Sequence, residues 1–412
     1  MFTISIAFLL WHAKPLVNEH AAQPLARSHL TSVRSRNVAT EWRSPDYDGS
    51  RSRDYPADIL PPLHVIWSSP RAACWRLVAA AGDCVYSIDT GQIAATSLAD
   101  GRVLWQHKYD DGYSDGYFAD EHGLIYSSQN ESVIERLNAS DGSIAFRLPG
   151  GQTGPLVGLP NGDFMCSVDT WNKPSRLIEG EPATGAVIGQ SDICVTTYEP
   201  DMYVVPRGLL PMPGPGNKLC VAGYNTTTVL EGGISGKYRA KTYDSDAVAA
   251  GNNLIIVLYY PRIEAYDSHL KMLWSTTVPR FGKPTSASHY PVLISSKMVI
   301  LNDGVYLYAL SNRDGRVVWR VLLDPTKPEM GGAPGPSLIC GHIIYVIKYS
   351  YHVSTSTLMA FRLSDGKPLW SSRVGYNVNS LIANRGYLYG LDSGPSVYPP
   401  KGQIFKLAST QH

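Results

Sequence analysis

The sequence has little charge and no long apolar run. Charged residues make up 17% of its 412 positions, and 36 basic against 35 acidic side chains give a net charge of +1. It contains neither the basic stripe nor the acidic tail that would suggest a nucleic-acid partner or a charged interaction tail. No apolar stretch approaches the roughly 20 residues that span a bilayer. We therefore expect no nucleic-acid binding and no membrane span.

Cysteine is scarce and is never found at metal-binding spacing. No C-x-x-C motif occurs, which argues against a zinc ribbon and a thiol redox motif. The wide scatter of the cysteines favours small buried side chains over a disulfide framework, and a bridge between Cys74 and Cys84 on neighbouring strands is the alternative. The six cysteines are Cys74, Cys84, Cys166, Cys194, Cys220 and Cys340.

Helical periodicity is also lacking, so we expect few or no helices. The sequence has only 8 Phe, but it holds 25 Tyr and 9 Trp, together with 37 Gly and 29 Pro. Strand-favouring aromatic residues combined with many turn residues indicate an all-β chain.

One short motif recurs along the chain. The segments 98–105, 311–319 and 363–370 each place Asp-Gly four residues before a tryptophan. Asp-Gly is a turn signal because glycine accepts a positive φ, and the apolar residues and Trp that follow it are typical of a strand with an aromatic anchor. Each copy therefore predicts a strand, a two-residue turn and a second strand.

The anchor position repeats at intervals that average about 43 residues, which with four short strands per repeat indicates the blades of a β-propeller. Tryptophan holds five of these positions, and weaker copies fill the others. The series is Trp67, Trp105, Phe146, Gly189, Ala240, Trp274, Trp319 and Trp370. We predict an eight-bladed propeller, with seven blades as the alternative if the units between residues 153 and 246 merge.

The two ends of the repeat region predict how the ring closes. The last unit begins near Val378 and lacks an Asp-Gly-Trp strand of its own, while the strand at 65–67 has no hairpin partner before it. We expect this N-terminal strand to complete the last blade and so to remove a sheet edge. The predicted domains are an apolar, disordered lead-in at 1–40, with a signal peptide as one interpretation, and a single propeller at 41–412.

The runs 305–319 and 358–370 resemble the repeat of the pyrroloquinoline-quinone-like β-propeller family. That family includes quinoprotein alcohol and glucose dehydrogenases and non-catalytic propellers, among them a scaffold lipoprotein of outer-membrane protein assembly. The resemblance implies that indole rings pack between blades and lock the ring. The implied structural anchors are Trp67, Trp105, Trp274, Trp319 and Trp370, with the turn glycines Gly101, Gly142, Gly315 and Gly366.

The sequence departs from the enzymes of that family. They hold their quinone against a pair of adjacent cysteines, and no two cysteines are adjacent in this chain. We therefore expect no catalytic residue and no cofactor. The predicted function is a non-enzymatic scaffold for a protein partner, most simply a monomer, exported to the cell envelope or outside the cell, with a cytoplasmic location as the alternative. The alternative functions are a small quinoprotein oxidoreductase that uses pyrroloquinoline quinone, and a propeller that binds or cleaves carbohydrate.

Other motifs have ordinary explanations. A G-x-S-x-G match at 112–116 lies between two β units and lacks the strand-to-helix context of a hydrolase. In the same link Asp111, Asp115 and Asp120 are weak metal-ligand candidates, because close carboxylates suit Ca²⁺ but the spacing departs from the calcium-loop pattern. The Gly-, Pro- and Tyr-rich links at 209–216, 327–336 and 393–400 suit protein or glycan contact or simple connection.

Overall fold

The protein is described by a computed structural model that covers residues 54–410 apart from several connections. Within that range the residues not described are 71, 74–75, 90, 110–115, 129–132, 150–151, 160–161, 170–174, 194–207, 213–217, 223–225, 231–237, 243–246, 252, 260, 279–291, 324–333, 351–354 and 395–400. All the regular secondary structure in the described part is β-strand, so the all-β prediction is confirmed. No helix there is long and apolar enough to cross a bilayer. The predicted lead-in lies outside the described residues.

Three strands precede the first complete blade, and each later joins a sheet built elsewhere in the chain. They are β1 (Asp54–Tyr55), β2 (Leu63–Ser68) and β3 (Ala72–Ala73). Blade 1 consists of β4 (Arg76–Ala81), β5 (Cys84–Asp89), β6 (Gln92–Ser97) and β7 (Val103–Lys108). Blade 2 consists of β8 (Gly116–Asp120), β9 (Gly123–Ser128), β10 (Val133–Asn138) and β11 (Ile144–Pro149).

Blades 3 to 5 have the same four-stranded plan. Blade 3 consists of β12 (Gln152–Gly158), β13 (Phe164–Asp169), β14 (Ser175–Gly180) and β15 (Val187–Ile193). Blade 4 consists of β16 (Gly208–Met212), β17 (Lys218–Ala222), β18 (Thr226–Leu230) and β19 (Tyr238–Thr242). Blade 5 consists of β20 (Ala247–Gly251), β21 (Leu254–Tyr259), β22 (Arg262–Asp267) and β23 (Met272–Thr277).

The last three blades complete the set. Blade 6 consists of β24 (Val292–Ile294), β25 (Met298–Asn302), β26 (Tyr306–Ser311) and β27 (Val317–Leu322). Blade 7 consists of β28 (Pro334–Cys340), β29 (Ile343–Ser350), β30 (Thr355–Arg362) and β31 (Pro368–Gly375). Blade 8 combines β32 (Val378–Asn384), β33 (Tyr387–Asp392) and β34 (Lys401–Ser409) with β2.

The described strands thus form eight sheets that stand in a ring. The first strand of each blade contacts the first strand of the next, and β32 of blade 8 contacts β4 of blade 1. Residues 152–193 and 208–242 form two separate sheets, so the eight-blade prediction is confirmed over the seven-blade alternative. All eight predicted anchor positions lie on the outermost strands of their blades.

The ring closes as predicted. Strand β2 pairs antiparallel with β34, and its register places Leu63 opposite Ser409 and Trp67 opposite Lys406. The N-terminal strand thereby covers the edge that β34 would otherwise expose.

Strand β1 was not predicted. It pairs parallel with β28 of blade 7, where Tyr55 lies opposite Cys340. The hydroxyl of Tyr55 accepts a hydrogen bond from the backbone N–H of Gly386 in blade 8 at 2.7 Å. The Asp54–Leu60 segment therefore contacts two neighbouring blades.

The prediction of a two-residue turn is wrong. Ser97 N–H donates to the carbonyl of Arg102 at 2.8 Å, which encloses a four-residue loop, and Gly101 N–H donates back to Ser97 at 3.0 Å. In the other turns of this kind the glycine N–H likewise donates to the carbonyl four residues before it. These turns contain Gly142, Gly185, Gly315 and Gly366. A loop of this length places Asp-Gly at its end, because the glycine supplies the left-handed residue that returns the chain to the sheet.

Candidate functional site

The described part of the ring is organised around a repeated contact at the seams between blades. The indole of Trp105 in blade 1 lies against Gly142 in the third-to-fourth-strand turn of blade 2. Its Nε1–H donates to the carbonyl of Ala139, three residues before that glycine, at 2.8 Å. Trp274 and Trp319 donate in the same way to Asn312 and Leu363, at 2.8 Å and 2.9 Å.

Glycine is required in these turns for two reasons. Gly315 has φ +68°, in the left-handed region that side chains disfavour. A Cβ there would lie 2.5 Å from Cε3 of Trp274. The indole can therefore lie flat against the turn only if residue 315 has no side chain.

The aspartate before each glycine orders the loop. Oδ1 of Asp365 accepts a hydrogen bond from the Lys367 N–H at 3.0 Å, and Oδ1 of Asp314 accepts one from Arg316 N–H at 3.3 Å. Hydrogen bonding lowers the pKa of both carboxyls, mainly from the Lys367 N–H at Asp365 and from the Ser311 hydroxyl at Asp314. Each carboxylate is exposed, so it shapes the turn without a buried charge.

Trp370 is the anchor that faces blade 8, where no turn joins β34 to β2. It packs against the apolar cluster shared by blades 7 and 8, which includes Leu63, Val378 and Leu407. At the corresponding end of blade 8, Thr410 N–H donates to the Pro62 carbonyl at 3.0 Å. A hydrogen bond between two segments far apart in the sequence thus stands where other blades have a covalent turn.

The seam between blades 2 and 3 uses a different donor. Phe146 occupies the anchor position and lies against Gly185, but a phenyl ring has no N–H. Arg136, opposite Phe146 on β10, donates through Nη1 to the Pro182 carbonyl, which is the acceptor three residues before Gly185. Its Nη2 lies 3.2 Å from Oδ1 of Asp120. The guanidinium therefore takes over the hydrogen bond that an indole makes elsewhere.

The seam between blades 8 and 1 has two donors for one acceptor. Nε1 of Trp67 lies 3.2 Å from the Leu98 carbonyl oxygen, and Nζ of Lys406 lies 3.0 Å from that oxygen. The Lys406 ammonium also lies 3.8 Å from the centre of the Tyr387 ring. Burial lowers the pKa of Lys406, since desolvation disfavours the charged amine.

Two buried carboxylates are bound by neighbours of the same blade. Glu135 accepts a hydrogen bond from the Tyr126 hydroxyl and lies 2.5 Å from Nε of Arg147. In blade 5, Glu264 is held by Tyr266 and Arg262. These groups neutralise charge within the sheets and leave their oxygens committed to protein donors.

The weak metal candidates do not form a described site. Asp111 and Asp115 lie outside the described residues, whereas Oδ1 of Asp120 accepts hydrogen bonds from the backbone N–H groups of His122 and Gly123 and pairs with Arg136. Within the described ranges, no three His, Cys, Asp or Glu side chains lie close enough to hold a metal ion.

Two buried carboxylates at strand ends are engaged by backbone N–H groups and are not arranged for the Ca²⁺ that accompanies pyrroloquinoline quinone. Oδ1 of Asp303 accepts hydrogen bonds from the N–H groups of Val305 and Tyr306. Oδ1 of Asp392 accepts them from Tyr376, Asn377 and Gly394. A Ca²⁺ site needs oxygens that are available to the ion. Both carboxylates instead hold the backbone at the ends of their strands.

The described cysteines are buried thiols. None of Cys84, Cys166 and Cys340 is in a disulfide, so Cys84 does not form the bridge to Cys74. Burial raises the pKa of the Cys84 thiol, which disfavours the reactive thiolate. These three side chains fill the core between blades, as predicted.

The outer strands carry an apolar belt, which we define as the exposed aliphatic residues at the one or two positions before each anchor. In the described part of the chain, all exposed large hydrophobic side chains except Leu60 and Tyr376 belong to it. Its members are Val65, Ile66, Leu104, Ile144, Val187, Ile188, Met272, Leu273, Val317, Val318 and Leu369. The belt lies on the sheet edges, where backbone groups are open to pairing.

Sequence reasoning missed Arg136 and Lys406. Both lie opposite the anchor on the third strand, where blades 1, 5, 6 and 7 have Ala95, Ala265, Ala309 and Ala360. An alignment of the third strands would have marked two cations at an alanine position. The Tyr-rich links predicted for partner contact lie largely outside the described residues.

Solved structures with this fold come from both branches of the family. BamB from Moraxella catarrhalis has a TM-score of 0.58 and 11% identity, covering 85% of this chain and 99% of that one. Quinohemoprotein alcohol dehydrogenase ADHIIG from Pseudomonas putida HK5 has a TM-score of 0.64 and 10% identity, covering 90% of this chain and 80% of that one. The quinohemoprotein alcohol dehydrogenase of Comamonas testosteroni has a TM-score of 0.61 and 12% identity, covering 89% of this chain and 80% of that one. Identities this low show the fold alone.

The sequence itself gives the narrower assignment. No curated protein sequence matches this chain. The family model described as outer membrane protein assembly factor BamB matches residues 176–389, a little over half of the 412 positions. That range includes the anchors Trp274, Trp319 and Trp370 with their turns. The chain therefore belongs to the BamB-like family of pyrroloquinoline-quinone-like repeat propellers.

Proposed function

We propose that this protein is a non-enzymatic scaffold that binds a protein partner through the apolar belt. The observation that carries the proposal is the placement of the exposed hydrophobic side chains. Ile188 is 53% exposed and Val318 is 50% exposed, and both lie on outermost strands. Exposed aliphatic side chains beside an open sheet edge offer a protein partner apolar contacts and backbone hydrogen bonds together.

The chemistry of the belt fits an extended protein segment. An outer strand offers unpaired backbone N–H and C=O groups, and its aliphatic side chains stand beside them. A partner strand would gain main-chain hydrogen bonds and apolar contacts together, which is the β-augmentation mode of recognition. The rigid ring holds the edge in place, so little conformational entropy is lost on binding.

The family supports the same function and a location. The matching family model is described as an outer membrane protein assembly factor. We extend from this that the protein is exported to the cell envelope and acts there as a monomer with a protein partner.

The test compares partner recovery by belt variants purified from the native host. Val317→Ser with Val318→Ser removes two belt residues from β27, and Arg320→Ser on the same strand is the matched control. We expect the double variant to recover at least about tenfold less of the partner than wild type, since it loses roughly 1.4 kcal/mol or more of apolar contact. Equal recovery by both variants would reject the belt as the binding surface.

The quinohemoprotein neighbours motivate a second arm of this test. Purified protein is incubated with pyrroloquinoline quinone and Ca²⁺, and dye-linked oxidation of alcohols and sugars is measured. The scaffold proposal predicts no turnover above the protein-free control. Turnover that depends on the quinone would replace the scaffold with an oxidoreductase.

A further inference from the structure

We propose that residues 49–53 of this chain run along the wall of the central channel, as an extension of strand β1 on the inner edge of blade 7. The central channel is the space that the first strands of the blades surround, since each first strand contacts the next. This inference concerns the axis of the ring. It does not depend on partner binding at the apolar belt, which lies on the outer strands.

Strand β1 lies on the channel side of its sheet. In blade 7 the order of the strands is β1-β28-β29-β30-β31. One edge of β28 therefore pairs with β29, and its other edge, which faces the channel, pairs with β1. The two residues of β1 thus mark the place where the N-terminal part of the chain meets the channel.

The parallel pairing fixes the direction from which the chain arrives. Asp54 lies opposite Ile339, and Tyr55 lies opposite Cys340. Because both strands of a parallel pair run the same way, the residues before Asp54 approach along the residues before Ile339. Residues 334–338 of β28 precede Ile339, and residues 49–53 equal them in number. Both segments rise by about 3.3 Å per residue when extended, so their lengths match.

A described hydrogen bond shows which backbone groups of β28 point to this edge. Gly341 N–H donates to the Tyr55 carbonyl at 2.8 Å. Since backbone groups alternate sides along a strand, Ile339 directs its N–H to the same edge, whereas Leu338 directs its N–H to β29. Ile339 is fully buried, so its N–H requires an acceptor other than water. A parallel ladder places the carbonyl of Arg53 there.

The segment that follows β1 is held firmly, and this keeps residues 49–53 beside the edge. Tyr55 is 5% exposed, and its hydroxyl accepts the Gly386 N–H of blade 8. Oδ1 of Asp58 accepts the His342 N–H of blade 7 at 2.6 Å. A segment tethered directly beside a strand edge meets that edge at a high effective concentration. This favours the chain's own residues over a second copy or another protein as the occupant.

The composition of the segment suits this place. Residues 49–53 read Gly-Ser-Arg-Ser-Arg and contain no proline, so each keeps a backbone N–H for the ladder. In register, Ser50 and Ser52 fall on the same face as Ile339, which belongs to an apolar cluster with Ile300 of blade 6. Small residues thus fall on the face nearest that neighbouring blade. The inner edge of blade 7 is then taken by the chain itself.

A disulfide between two introduced cysteines tests the register. The pairing of β1 places residue 52 opposite Ser337. Full-length Ser52→Cys with Ser337→Cys is oxidised and digested, and joined peptides are measured by mass spectrometry. The matched control is Ser52→Cys with Ser380→Cys, because Ser380 is similarly buried on the first strand of blade 8. We expect the joined peptide within monomers, in a yield at least about tenfold above that of the control.

Two results of the disulfide experiment would overturn the proposal. Equal yields from the two double variants would show that residue 52 does not lie beside β28. A cross-link between positions 52 and 337 found only in disulfide-linked dimers would show that the occupant is a second copy of the chain.

Hydrogen exchange tests the ladder without cysteines. The pairing directs the N–H of Arg53 at β28 and that of Ser52 away from it. We expect Arg53→Pro to raise the exchange rate of the Ile339 amide at least about tenfold, and Ser52→Pro and Arg53→Ala to change it less than about threefold. The Leu338 amide is the internal reference and should change less than about threefold in all three variants.

The pattern of exchange decides between pairing and its absence. An Ile339 amide that responds equally to Arg53→Pro and Ser52→Pro, or to neither, would reject the ladder. This measurement also decides the question if the cysteine substitution of the buried Ser337 prevents folding, because it leaves β28 unchanged.

Discussion

At the residue scale, the propeller depends on small residues at fixed places. The turn glycines combine a left-handed backbone with direct contact to an aromatic ring, so they are constrained twice. Gly315 shows both constraints, with φ +68° and the ring of Trp274 at contact distance. The identity of these residues follows from what packs on them as much as from the turn itself.

Substitution of Gly315 separates the two constraints. We expect Gly315→Ala to lower the free energy of unfolding by about 3 kcal/mol, through the left-handed backbone and the collision with the indole. Gly386→Ala is the control, because Gly386 has φ +82° but no atom within 4 Å of a Cβ. It should cost about 1 kcal/mol. Urea denaturation measures both, and equal losses would show that the indole does not constrain Gly315.

The turn aspartates predict an acid-dependent loss of stability. Hydrogen bonds lower the pKa of Asp314 and Asp365 from the ordinary 3.8, so the folded state favours the charged forms. Their contribution to the free energy of unfolding is complete above the ordinary pKa and is lost as the pH falls through the lowered pKa. The double variant Asp314→Asn with Asp365→Asn keeps a side-chain oxygen acceptor at each position but removes the titrating carboxyl groups. We expect a flatter decline of the urea midpoint between about pH 4 and pH 2; an unchanged decline would contradict this.

At the element scale, the seam rather than the single blade is the unit of stabilisation. At five seams, a turn carbonyl that faces an anchor receives a donor from the preceding blade, but the donor is an indole at some seams and a cation at others. The backbone acceptor is constant because the turn is constant, whereas the side chain that reaches it is interchangeable.

This interchangeability can be tested in blade 2. We expect Arg136→Met to cost about 3 kcal/mol, because it leaves Asp120 without its ion pair and the Pro182 carbonyl without a donor. Adding Phe146→Trp restores an N–H at the position used elsewhere and should recover about 1 kcal/mol. Chemical denaturation of both variants, with Phe146→Trp alone as the control, measures the recovery. No recovery would mean that the two donors do not serve the same carbonyl.

At the scale of the whole molecule, closure of the ring decides the stability of all the blades. Strand β2 covers the edge of β34 and brings Trp67 to blade 1. Without it blade 8 keeps only three strands, and the Leu98 carbonyl loses its indole donor. The N-terminal strand is therefore part of the fold and not an appendage.

Removal of that strand provides the corresponding prediction. We expect a chain that begins at Ser69 to unfold at a clearly lower urea concentration than a chain that begins at Asp54, and to associate through its exposed edge. Urea denaturation and size-exclusion chromatography measure the two effects. A synthetic peptide of residues 54–68, added in excess, should reverse both. Unchanged stability of the shorter chain would show that β2 is not needed for closure.

The sequence by itself determined the class of the fold, the eight repeats and the partner of the N-terminal strand. These features follow from short-range patterns, namely alternating apolar residues, Asp-Gly turns and an aromatic residue at a regular interval, which act within about 43 residues of chain. Even the weak positions Gly189 and Ala240 fall on outer strands, because the period constrains them when the residue type does not.

Only the tertiary structure decided what holds the seams. Arg136 reaches a carbonyl 46 residues away, and Lys406 reaches one 308 residues away, across surfaces that come together after the blades have formed. No local pattern encodes such a pairing, because a cation on a strand close to the outer edge of a sheet is ordinarily solvated. The parallel pairing of Asp54–Tyr55 with blade 7 was likewise beyond the sequence, since two residues carry no periodicity. Local chemistry sets the repeat, and the contacts between repeats are fixed only when the ring is closed.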